Sequence, residues 1–184
     1  MFTPTAIPLA IAVVLLAMAV IAALWDLRYR RIPNWLTLSG VIAGFALNGI
    51  LFGLEGLKIA GIGMLVGFGI YFVLFLLHAM GAGDAKFMAA VGSLAGMSLW
   101  FKIFLAAVIL GAIAGVILAL SRGRLMRTFN NIGYIMSEIG HGRPPHVRRE
   151  EVDVKSEKAL RMPHGAAIAA GIFIIVGWSW VARG

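Results

Sequence analysis

The sequence has no cysteine. That removes structural disulfides, a thiolate nucleophile and thiolate zinc ligation together. Charge is scarce too: 13% of the 184 residues are charged, and only eight are Asp or Glu. So little charge excludes both a disordered chain and an ordinary soluble domain. His78, His141, His146 and His164 show no metal-ligand spacing, so neither a metal nor another cofactor is expected. The His-Glu-x-x-His string of a metalloprotease is missing, and Ser39-Gly40 lacks the glycine that a Gly-x-Ser-x-Gly nucleophile would need.

What the chain does have is apolar length. It is 61% hydrophobic with a mean hydropathy of +0.94. Apolar runs fall at 7–25, 35–52, 59–80, 87–99, 100–120 and 165–181. A helix needs roughly 20 apolar residues to cross the hydrocarbon core, and about 17 suffice. Five runs meet that limit. The short fourth run can borrow Ala85 and Lys86, with the lysine stem snorkelling outward. The expected fold is therefore an all-α polytopic membrane protein of six transmembrane helices, forming a single domain over 1–184. No Lys or Arg precedes the first run, so it reads as an uncleaved span and not as a signal peptide.

Basic residues orient the spans. Arg28, Arg30 and Arg31 follow the first run, Lys86 is expected in the turn between the third and fourth, and nine more lie between Arg122 and Arg161. These thirteen of the 16 Lys and Arg share one side, leaving Lys58, Lys102 and Arg183 on the other. By the positive-inside rule the thirteen are cytoplasmic and both termini are outside. Much of the formal charge of +8 is thus a topology signal, and nucleic acid is not an expected partner.

One long polar segment, 121–163, separates the last two spans. Leu125, Phe129, Ile132, Met136 and Ile139 recur in it at helical spacing beside Arg122, Arg124 and Arg127. That pattern suits an amphipathic helix on the anionic cytoplasmic leaflet, which makes membrane lipid a partner; substrate docking is the alternative role. The stretch 140–161, with Pro144-Pro145 and mixed charges, reads as a flexible loop.

The acidic residues narrow the chemistry. Five lie in the polar segment and Glu55 lies in a short outside turn. Asp26 and Asp84 remain, each expected at the cytoplasmic end of an inward-running span. Carboxylates at the membrane edge are costly and point to function. Two of them at one depth can share a proton, one acting as base and the other as acid in peptide hydrolysis. The plainer reading pairs Asp26 with Arg30 and Asp84 with Lys86. Gly81-Ala82-Gly83-Asp84-Ala85-Lys86 favours the functional one, because its glycines open backbone conformations closed to other residues and let a peptide approach the carboxylate. Pro33-Asn34 is expected to start the second helix, with Asn34 as its N-cap.

Three strings together resemble the prepilin (type IV leader) peptidases: Asp26 through Asn34, Gly81 through Lys86, and Met162-Pro163-His164-Gly165 leading into the last span. The resemblance implies a membrane aspartic endopeptidase that cleaves pilin precursors just before their hydrophobic segment, with Asp26 and Asp84 catalytic. It implies that Gly81, Gly83, Lys86, Pro163 and Gly165 shape the site. Prepilins or pseudopilins become the expected substrates, pilus assembly machinery an expected partner, and the bacterial inner membrane the expected location. Larger members add a cysteine-bearing zinc domain and methylate the product; this chain resembles the short peptidase-only type of Flp (tight-adherence) pili. The competing readings are a presenilin-like intramembrane protease, which places its aspartates deeper, and a transporter or pilus scaffold, which would show midplane charges and repeated broken helices.

Overall fold

The structure is a computed structural model that describes residues 7–77, 80–141 and 164–182. Among the described residues it is all-helical: α1 (Leu9–Tyr29), α2 (Asn34–Leu76), α3 (Ala82–Ser121), α4 (Leu125–Gly140) and α5 (His164–Val181). Four of these helices, α1, α2, α3 and α5, are long and apolar enough to cross a membrane. The chain is a polytopic membrane protein.

The expected second and third spans lie together in α2, and the expected fourth and fifth in α3. At 43 residues, α2 would be about 64 Å long if straight, roughly twice the hydrocarbon thickness. It breaks at Gly53, whose φ of 62° and ψ of −140° only glycine adopts readily. Across that break Gly56 sits against the Asn48 carbonyl so closely that a Cβ would collide with it. Residues eight apart in an unbroken helix stand about 12 Å apart, so the chain reverses at Gly53. In α3 the break is Gly96, at φ 67° and ψ 169°. There Trp100 Nε1 donates to the Met88 carbonyl at 3.1 Å, although an unbroken helix would put those residues about 18 Å apart. The turn in this pair thus falls at Gly96 and not at the expected 99/100 boundary.

A helix that breaks inside an apolar bundle frees carbonyls that lipid cannot satisfy. Asn48, buried in the first arm of α2, supplies the donors. Its Nδ2 reaches the carbonyls of Ser93 at 2.9 Å and Leu94 at 3.3 Å, just before the Gly96 break. Residues 82–95 form the centre of the bundle: Phe87, Met88, Ala90, Val91 and Leu94 are all 1% exposed or less. A helix that is apolar all round belongs inside. Fourteen residues at 1.5 Å each cover only about 21 Å, short of a ~30 Å hydrocarbon core, which is why this run looked meagre as a span.

Between apolar helices in lipid, packing and small residues do the work that water-driven burial does elsewhere. The backbones of Gly63 and Gly92 touch, and Gly67 lies against the Met88 carbonyl, so α2 and α3 approach with no side chain between them. Gly171 of α5 similarly rests on the backbone of Ile103 and Ala107. Trp25, Tyr29 and Trp35 form a partly exposed aromatic group at the α1–α2 junction. Trp178 and Trp180 are exposed near the end of α5. Such rings suit membrane–water interfaces.

Helix α4 follows a turn at Gly123 and leaves Met126, Phe129, Ile132 and Met136 exposed. The expected amphipathic spacing is therefore a real helix. The expected flexible loop lies outside the described residues from 142 onward.

Two local expectations change. Asp84 and Lys86 belong to the first turns of α3, which starts at Ala82, and not to a turn preceding it. Asn34 is not a cap: Pro33 occupies that position, and the Asn34 Oδ1 accepts a hydrogen bond from Lys86 Nζ at 3.0 Å. A partner on another helix has claimed the side chain that local propensity assigns to capping.

Candidate active site

Asp84 is placed by its own helix start. Gly81 is the N-cap, with φ −79° and ψ 151°, and its carbonyl accepts the Asp84 N–H at 3.2 Å. In return the Asp84 Oδ2 accepts the Gly81 N–H at 3.3 Å, satisfying a donor that a helix N-terminus would otherwise leave free. Neither Gly81 nor Gly83 has positive φ, so the expected need for unusual backbone is not met at these two glycines. Gly83 instead lies in ordinary contact with Ile32, about 3.5 Å from where its Cβ would be. That contact ties the start of α3 to the link after α1.

Asp26 is placed differently. It lies near the end of α1, is 7% exposed, and its Oδ2 is buried with no hydrogen-bond partner among the described residues. Gly165, in the first turn of α5, forms the wall behind it: a Cβ there would stand 3.0 Å from both the Asp26 Cβ and Oδ2. His164, which begins α5, lies within electrostatic reach of the Asp26 carboxylate. Gly165, expected among the residues that shape the site, thus lies directly against Asp26. Pro163 lies outside the described residues.

The start of α3 packs on Ile32 just after α1, and Asp84 lies within electrostatic reach of Asp26, so two helices bring the carboxylates to one end of the bundle. Lys86 is exposed and bonds Asn34 on the neighbouring helix. The plainer pairing of Asp84 with Lys86 is therefore absent. No cluster that could hold a metal ion occurs among the described residues.

Sequence reasoning missed Tyr71. It is 1% exposed, sits in the second arm of α2 and interacts electrostatically with Asp84. The signal available was a lone phenol inside the apolar run 59–80.

A helical bundle with four helices fit to cross a membrane, and with two acidic side chains from separate helices within electrostatic reach of each other, defines the class of polytopic membrane proteins. A family model described as the type IV leader peptidase family matches residues 13–116. That is more than half of the sequence, and the chain belongs to this family and is a peptidase of that kind. The matched stretch contains Asp26, Tyr71 and Asp84, while α4 and α5 lie beyond it. Neither the curated proteins nor the solved structures contain a match.

Proposed function

We propose that the chain is an aspartic endopeptidase that removes the leader from Flp-type prepilins at the cytoplasmic membrane face, with Asp26 and Asp84 as its catalytic pair. The observation that carries this reading is that these two carboxylates, from separate helices, lie within electrostatic reach of each other in a member of a leader peptidase family. The ionised member takes a proton from water as the water attacks the scissile carbonyl. The protonated member donates to the developing oxyanion and then to the departing amine. Gly81 holds Asp84, and Gly165 holds Asp26. Lys86 acts at one remove, fixing the start of α3 to the start of α2 through Asn34.

The reversals at Gly53 and Gly96 support six spans, two each in α2 and α3. The cluster of Arg28, Arg30 and Arg31 beside Asp26 supports a cytoplasmic site in the bacterial inner membrane, with both termini outside. Helix α4, with its exposed apolar residues next to Arg122 and Arg124, lies on the anionic leaflet. With no cysteine, the chain cannot build the zinc-cysteine set of the larger members, which supports cleavage without methylation.

The test is co-expression with candidate Flp-type prepilins and sequencing of the mature N-termini. Asp26→Asn and Asp84→Asn should each abolish cleavage as fully as the double variant, because groups that act as a unit show non-additive losses. Substantial cleavage by a well-inserted Asp84→Asn protein would overturn the aspartyl mechanism.

A further inference from the structure

The second arm of α2 and the first arm of α3 run antiparallel in a register that the glycine contacts define. Gly63 meets Gly92, and one helical turn further along α2, Gly67 meets Met88. Four residues forward on α2 correspond to four residues back on α3. The next step of that register sets Tyr71 opposite Asp84. The side chains agree with the backbone pattern, since Tyr71 and Asp84 interact electrostatically. Tyr71 is held in place by its ring, which is 1% exposed and meets Phe104 edge-on at 6.0 Å between centroids.

A phenol buried this deeply brings an apolar body and one polar tip, and the tip normally finds a hydrogen-bond partner. The Asp84 Oδ2 already accepts the Gly81 N–H, which leaves the other oxygen of that carboxylate for a second donor. Hydrogen bonds within a catalytic group are often long before substrate binds and tighten in the loaded complex.

Resting on the aspartyl reading above, we propose that Tyr71 is a positioning residue for Asp84, its hydroxyl orienting the Asp84 carboxylate from the face opposite Gly81 when substrate is bound. The α2–α3 packing then has a catalytic purpose. The glycine contacts bring the two backbones close enough, one turn before the site, for a tyrosine on one helix to serve a carboxylate on the other.

Tyr71→Phe is the direct test, because it keeps the ring against Phe104 and removes only the oxygen. Cleavage of a prepilin by the purified full-length protein in detergent should fall about ten- to a hundredfold in kcat, the effect of losing a hydrogen bond to a charged group, with little change in KM. The pH–rate profile of kcat should also shift, which a purely structural role would not cause. Phe104→Leu disturbs the same packing without removing the hydroxyl. It should lower thermal stability but leave the pH profile unmoved. Asp84→Asn is assayed in parallel. If Asp84→Asn is inactive while Tyr71→Phe keeps the wild-type rate and pH profile, the role of Tyr71 is refuted and the aspartyl reading stands. If Asp84→Asn cleaves, the aspartyl reading itself fails.

Discussion

Asp84 and Asp26, the proposed catalytic pair, rest on opposite kinds of support. Asp84 is fixed within three residues of itself, by the Gly81 N–H at the start of its own helix. Asp26 receives no such local bond on its buried Oδ2 and is held by a glycine of α5, the last helix. One aspartate is positioned by a short string of sequence, the other by tertiary packing. The difference predicts which substitutions each can tolerate.

The largest effect should come at the packed side. Gly165→Val drives two methyl groups into Asp26 and should leave cleavage undetectable in the prepilin assay. Gly165→Ala introduces a Cβ 3.0 Å from the Asp26 carboxylate and should reduce kcat about ten- to a hundredfold, since a misplacement of about 1 Å can cost about a hundredfold at a reacting centre. Normal amounts of inserted protein would show that the loss is local. Lys86→Met comes next. It removes the bond to Asn34 that joins the starts of α2 and α3, and an exposed pair of this kind contributes under about 1 kcal/mol. Cleavage should fall by less than about fivefold. Gly81→Ala should be the mildest, within about twofold, because its φ of −79° suits any residue and its Cβ would make ordinary contact with Asp84 at 3.4 Å. Equal losses from Gly81→Ala and Gly165→Ala would erase the distinction between local and packed support.

The same division explains what the sequence discloses. The apolar runs announce a helical membrane protein, and the two stray aspartates single out the proposed site, because both signals are local. Gly53 and Gly96 are harder to pick out. Each is one glycine among 23, and only the backbone shows that these two reverse the chain. Asn34 misleads because its capping propensity is real, but its side chain bonds Lys86 of another helix and Pro33 takes the cap position. Tyr71 stays hidden for a related reason. An aromatic residue in an apolar run looks like packing until the register of α2 against α3 sets it beside Asp84. Contacts between residues far apart in sequence carry no local signature.

The dependence of Asp26 on Gly165 also orders the life of the molecule. During synthesis both carboxylates leave the ribosome well before α5 does. A chain caught part-way through insertion therefore carries its two acids but lacks the backstop for one of them. On the aspartyl mechanism proposed above, proteolytic competence arrives only with the docking of the final helix, and a half-built copy is a harmless one.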